Sequence, residues 1–156
     1  MSLARSDYTT FRSQAPELYE AILAVSQQAA KAGLDKQLLE LIKIRASQIN
    51  GCAFCVQHHV LLAERLGVSA DKINLVVVWR EAPQFSARER AALAFTEALT
   101  RLEDGVSDEV YDAARAEFSD TELVFLTSAI GVINLWNRYG VAFRWTPAER
   151  LARATG

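Results

Sequence analysis

Helix punctuation constrains this chain more than any other feature. Ser86 with Glu89, Ser119 with Glu122 and Thr146 with Glu149 each set a hydroxyl three residues ahead of a carboxylate. In that box the hydroxyl accepts a backbone N–H of the first turn, and the carboxylate accepts the N–H of the capping residue. Pro147 holds the first helical position of the third box, where its missing N–H costs nothing. Asp35 and Ser69 are single caps ahead of "KQLLELIKIRASQI" and "ADKINLVVVWREA". Leu18, Ala21, Ile22, Val25 and Ala29 recur at helical spacing, which predicts one apolar face on a helix that Gly33 ends. Ala91, Phe95, Ala98 and Leu102 predict a second such face, and "SDEVYDAARAEF" reads as a short connecting helix. The one strand-like run, "LVVVW", sits inside a capped segment without neighbouring strand signals, so it is read as helix. The expectation is a single all-α domain over residues 1–156, without internal repeat, linker or low-complexity tract.

The stretch 123–137, "LVFLTSAIGVINLWN", carries no charge on any face. It falls short of the roughly 20 apolar residues of a membrane span, so it predicts a buried central helix. A helix apolar all round needs neighbours all round, and in a chain of 156 residues some of these are expected from other subunits. A homo-oligomer follows as an expectation. Hydrophobic residues make up 51% of the chain and the net charge is only −2, which excludes a disordered chain and a polyanion-binding surface. Neither nucleic acid nor membrane is an expected partner. The N-terminal stretch lacks the apolar core of a secretory signal, so the expected compartment is the cytoplasm. Thiols are kept reduced there, so a disulfide would serve chemistry and not act as a staple.

Both cysteines and both histidines fall within eight positions of "INGCAFCVQHHVLLAERLG". Asn50 and Gly51 tolerate positive φ and should stop the preceding helix, and the next runs from about Cys52 to Leu66 and closes at Gly67. At about 100° per residue, His59 lies near the directions of both cysteines, whereas His58 lies near Cys55 alone and is read as solvated. Unpaired N–H groups at a helix start lower thiol pKa values and favour reactive thiolate. Glu40 precedes the turn by about 15 Å of helix and His59 follows it by about 12 Å, so antiparallel packing would bring them to one height. A carboxylate there would orient the imidazole, favour its protonated form and complete a Glu40–His59–cysteine proton relay. Lys36 and Lys43, at i−4 and i+3 from Glu40, offer a plain surface ion pair as the alternative. A zinc site of Cys52, Cys55 and a histidine is disfavoured, because one helix supplies a poor tetrahedral cage; no metal or cofactor is expected. A thioredoxin-like fold is disfavoured because no strand precedes Cys52. Trp79, Trp136 and Trp145 are read as core or interface anchors, and Asn134 and Asn137 as residues that bond across an interface.

Glu40, eleven residues, Cys52-Ala53-Phe54-Cys55, three residues and His59 resemble the E-x11-C-x-x-C-x3-H pattern of the alkylhydroperoxidase AhpD branch of the carboxymuconolactone decarboxylase superfamily. The close match covers about residues 36 to 67, and "LIKIRASQINGCAFC" strengthens it. The resemblance implies an AhpD-like helical fold, a redox hairpin at about 35–67, and assembly as a trimer or hexamer. It implies a thiol-dependent peroxidase that reduces hydroperoxides, with Cys55 as peroxidatic thiol, Cys52 as proton donor and resolving thiol, and Glu40 and His59 as the proton relay. The implied partners are a hydroperoxide and a dithiol reductant, with lipoyl-bearing proteins as the family's precedent. One departure stands out: the best-known AhpD enzymes have histidine just before the second cysteine, where this chain has Phe54. The decarboxylase members lack the cysteine pair, which argues against that activity. A different use of the same pair is a redox-sensing or scaffold oligomer in which the disulfide opens and closes without turnover.

Overall fold

The computed structural model describes residues 3–148. Among them the chain forms α1 (Tyr8–Gln14), α2 (Pro16–Ser26), α3 (Gln28–Lys31), α4 (Lys36–Asn50) and α5 (Ala53–Arg65). It continues as α6 (Ala70–Leu75), a 3-10 segment (Val76–Glu81), α7 (Ala87–Arg101), α8 (Asp108–Glu117) and α9 (Asp120–Ala142). No strand occurs among the described residues. The "LVVVW" run forms no strand: Leu75 ends α6 and the following residues enter the 3-10 segment, which is broken by a kink at Val78, whose φ −121° and ψ 30° are not helical.

The caps act where the sequence places them. Asp35 accepts Leu38 N–H at 2.7 Å, Ser69 accepts Lys72 N–H, and the boxes at Ser86 and Ser119 close in both directions. The third box, Thr146 with Glu149, reaches outside the described residues.

Helix α4 is the centre of the fold, packed against α5, α7 and α9. Leu38, Leu39, Leu41, Ile42, Ile44 and Ala46 are buried along it. Each large aliphatic side chain of that kind contributes about 1.5–3 kcal/mol when removed from water. Around α4, one buried carboxylate ties several elements together. Glu97 accepts from Arg45 Nε (2.7 Å) on α4, Trp79 Nε1 (3.0 Å) and Arg80 Nη1 (2.6 Å) on the 3-10 segment, and Arg101 Nη1 (3.3 Å) on its own helix. Burial opposes its ionisation, but these donors prevail and hold its pKa down to about 2.

Two expectations about faces, those of α2 and α7, need correction. On α2 the core takes Tyr19 and Ile22, while Ala21 is exposed and Leu18 and Val25 are each 46% exposed. The aromatic ring buries more area than its neighbours and turns the helix toward a cluster with Phe11 and Trp145. Asp7 caps α1, an element the periodicity did not announce. On α7, Leu102 leaves the apolar face to become a left-handed C-cap (φ 53°) and is 61% exposed. Helix α9 buries Leu123, Leu126, Ile130 and Ile133, while Val124 (63%), Leu135 and Val141 are exposed within this chain. No single helix among the described residues is long and apolar enough to cross a membrane.

Candidate functional site

The α4–α5 turn builds the site. Gly51 adopts φ 69°, its N–H bonds to Gln48 O at 3.2 Å, and Cys52 N–H bonds to Ser47 O at 3.0 Å. This pair of bonds ends α4 in the left-handed closure that glycine adopts without steric cost. Cys52 is at once the last residue of that closure and the N-cap of α5, with its sulfur accepting Cys55 N–H at 3.3 Å. Cys52 and Cys55 are joined as a disulfide, their Cα atoms 5.3 Å apart, and both are buried.

The turn is braced from behind by amides. Asn50 Nδ2 donates to Asn134 Oδ1 and Asn137 Oδ1, each at 2.9 Å, and Asn137 Nδ2 donates to Ser47 Oγ at 2.9 Å. Asn134 and Asn137 therefore bond within the chain, tying α9 to the end of α4. Gly140, one turn further along α9, lets that helix lie against the sulfurs. A Cβ there would overlap Cys52 Sγ and stand 3.2 Å from Cys55 Sγ.

Glu40 and His59 meet as the antiparallel hairpin requires: His59 Nδ1 and Glu40 Oε2 are 2.6 Å apart. A carboxylate only accepts, so Nδ1–H donates and Nε2 keeps its lone pair. The second oxygen of Glu40 accepts from Lys43 Nζ at 2.8 Å, so the His59 contact and the lysine ion pair share one carboxylate. Burial raises the Glu40 pKa, but His59 and Lys43 outweigh it and leave it below its ordinary value. Burial also decides the state of His59: it lowers the imidazole below 6.5 despite the hydrogen bond and charge of Glu40. Glu40 thus favours the protonated ring, as expected, while the larger effect of burial acts against it; with Nδ1–H turned to Glu40, the neutral ring has an open Nε2, the form a general base needs.

Cys55, His58, His59 and Lys43 line one cavity of about 230 Å³ whose other walls include Tyr8, Phe54, Leu62, Ile133, Trp136 and Trp145. Cys52 is absent from that lining and faces a shallow groove with Gly51, Gln57 and Pro147 on the other side of the turn. The two cysteines, both buried, thus border different depressions of the surface. Sequence reasoning missed several cavity residues. Trp136 and Trp145, read as anchors, also face the cavity, and Tyr8 arrives from α1, with its ring 5.3 Å from Phe54 and 5.2 Å from Trp145. Tyr8 OH lies 2.8 Å from Tyr19 OH, and burial with that bond raises its pKa to about 12. His58 reaches solvent as read, but it stands on the cavity rim. Its signal was its place three residues after Cys55, on a neighbouring helix position. Among the described residues no group of three or more His, Cys, Asp or Glu side chains is arranged to hold a metal ion.

Helices without strands among the described residues, a cysteine pair at a helix start, and a carboxylate-held imidazole lining the same cavity as one of those cysteines define the class of protein. Comparison with known proteins gives its family. Residues 16–98 match the Carboxymuconolactone decarboxylase family, and the chain belongs to that family, within its AhpD-like branch. It is 33% identical over 138 residues to uncharacterized protein YdfG of Bacillus subtilis, covering 88% of this chain and 94% of YdfG. It is similar to the crystal structure of ATU0492 from Agrobacterium tumefaciens, a protein of unknown function and candidate antioxidant defence protein AhpD. That likeness has TM-score 0.87 and 42% identity, over 95% of this chain and all (100%) of the other. The debrominase Bmp8 shares the fold, with TM-score 0.79 at 21% identity over 87% of this chain and 74% of Bmp8.

Proposed function

We propose that the protein is a thiol-dependent peroxidase that reduces hydroperoxides in the cytoplasm through Cys55 and Cys52, with His59 and Glu40 moving the proton. The observation that carries this reading is Cys55 on the wall of an apolar cavity beside His59, whose Nδ1 is pinned by Glu40. In the dithiol form His59 Nε2 takes the Cys55 proton. The thiolate attacks the terminal oxygen of ROOH; the S–O bond forms, the O–O bond breaks, and the leaving oxygen takes a proton to give ROH. Cys52 then displaces water from the Cys55 sulfenic acid, forming the disulfide present here. A dithiol of the dihydrolipoyl type returns the pair to thiols and leaves as its own disulfide. The similarity to ATU0492, with its candidate place in antioxidant defence, supports the assignment.

We also infer a homo-oligomer, trimer or hexamer. The exposed Val124, Leu135 and Val141 on α9 support it, and a monomer in sedimentation at micromolar concentration overturns it. The test of the peroxidase is steady-state hydroperoxide consumption with dihydrolipoamide. Cys55→Ser should abolish it; wild-type turnover no faster than that variant refutes the assignment.

A further inference from the structure

His58 is unused by the chemistry above, yet it lines the same cavity as Cys55. Its ring stacks on Phe54 at 6.3 Å and 11°, and meets His59 edge-on at 5.0 Å and 86°. Phe54 is itself held by Tyr8 and by Trp145 at 5.5 Å. Among the described residues neither ring nitrogen of His58 has a hydrogen-bond partner. An oriented polar ring with free nitrogens, on the rim of a cavity that is otherwise largely apolar, is a group placed for a ligand.

Positions three and four residues apart are neighbours on a helix, so His58 and His59 flank Cys55 on α5. His59 is committed to the thiol through Glu40. The position where a histidine precedes the second cysteine in the best-known AhpD enzymes is Phe54 here, an apolar wall.

Resting on the peroxidase reading, we propose that His58 touches the substrate and donates a hydrogen bond to the leaving oxygen of a hydroperoxide whose apolar part lies against Phe54 and the cavity tryptophans. As the Cys55 sulfur bonds to the terminal oxygen and the O–O bond breaks, the electron pair collects on the oxygen that carries R. The His58 N–H stabilises that charge, and the proton that His59 took from Cys55 completes ROH. The balance is ROOH plus thiol giving ROH plus sulfenic acid, with sulfur oxidised and peroxide reduced. Burial leads the causes that lower the His58 pKa, with the adjacent His59, Lys43 and Arg65 acting in the same sense and Glu40 against them. The neutral ring still carries one N–H to donate.

The experiment compares wild type, His58→Phe and His58→Gln with cumene hydroperoxide and dihydrolipoamide, after matched thermal melts establish folding. Phe keeps the stack and removes the donor; Gln restores a donor. Removing a donor aimed at developing charge should lower kcat about ten- to a hundredfold with KM little changed, and Gln should recover most of it. In parallel, iodoacetamide alkylation of Cys55 in a Cys52→Ser background should be unaffected by His58→Phe, because His58 acts on substrate and not on the thiol. Unchanged kcat, a loss carried by KM alone, or alkylation that falls in step with turnover overturns the proposal. A wild-type protein without peroxide turnover overturns the peroxidase reading and this contact together, whereas an active wild type with an indifferent His58→Phe overturns only the contact.

Discussion

Replacing Gly140 by alanine isolates what the close approach of α9 does to the cysteine pair. Alanine in a helix interior gains about 1 kcal/mol over glycine. Against this, the new Cβ would overlap Cys52 Sγ and stand 3.2 Å from Cys55 Sγ. Forcing a methyl into a packed site costs about 1–3 kcal/mol. The disulfide form should therefore lose up to about 2 kcal/mol net, a fall of several degrees in melting temperature for a chain of this size. The dithiol form should escape most of the clash, since untethered thiols can rotate away. That difference makes the disulfide easier to reduce: for a two-electron couple, a clash of 1–3 kcal/mol raises the potential by about 20 to 60 mV. The assay equilibrates each protein in thiol–disulfide buffers, traps free thiols by alkylation and reads the ratio by mass. Gly131→Ala is the control, in the same helix with no heavy atom within 4 Å of its would-be Cβ. It should stabilise both redox forms and leave the potential alone. If Gly140→Ala behaves like Gly131→Ala, the argued contact with the sulfurs is wrong.

Glu40→Gln removes the charge that favours protonated His59 and one of the two accepting oxygens, so the imidazole becomes a weaker base; turnover should fall at least about tenfold. The acid limb of Cys55 alkylation, measured in a Cys52→Ser background, should move to lower pH. Because the folded His59 titrates below its ordinary 6.5, its contribution to stability is complete above that value and declines as pH falls through it; denaturant midpoints against pH read this out. Glu97, with a folded pKa of about 2 against an ordinary 4.5, contributes stability that is complete above pH 4.5 and is lost as pH falls toward 2. Glu97→Gln should flatten that part of the acid-unfolding profile. Asn137→Ala leaves Ser47 Oγ and one hydrogen of Asn50 Nδ2 without their partners, and should cost about 1–3 kcal/mol in chemical denaturation.

Local chemistry was legible in the sequence because it acts over a few residues. Asp35, Ser69, Ser86 and Ser119 cap the helices they precede, and Gly51 turns the chain at a point that sets Glu40 against His59. Which face a helix buries was less legible, since that is decided by partners far along the chain. Tyr19 prevailed over Leu18 because α1 and residue 145 assemble an aromatic cluster around it. The cavity walls draw on Tyr8, Phe54, Trp136 and Trp145, which no local pattern links. The pKa of His59 was only half legible, because a carboxylate neighbour is visible as a sequence spacing, whereas the desolvation that outweighs it is a property of the assembled core. Gly140 carried a weak signal, a glycine inside a helical pattern, which often marks a close backbone approach.

The turn that ends α4 and starts α5 shares its residues between the two helices, and this makes the stretch from Glu40 to His59 a ruler. Adding or deleting one residue within either helix rotates everything beyond it by about 100° and parts the carboxylate from the ring. Related chains with the same chemistry should hold this length fixed while varying freely in span between α7 and α8, where nothing has to be measured.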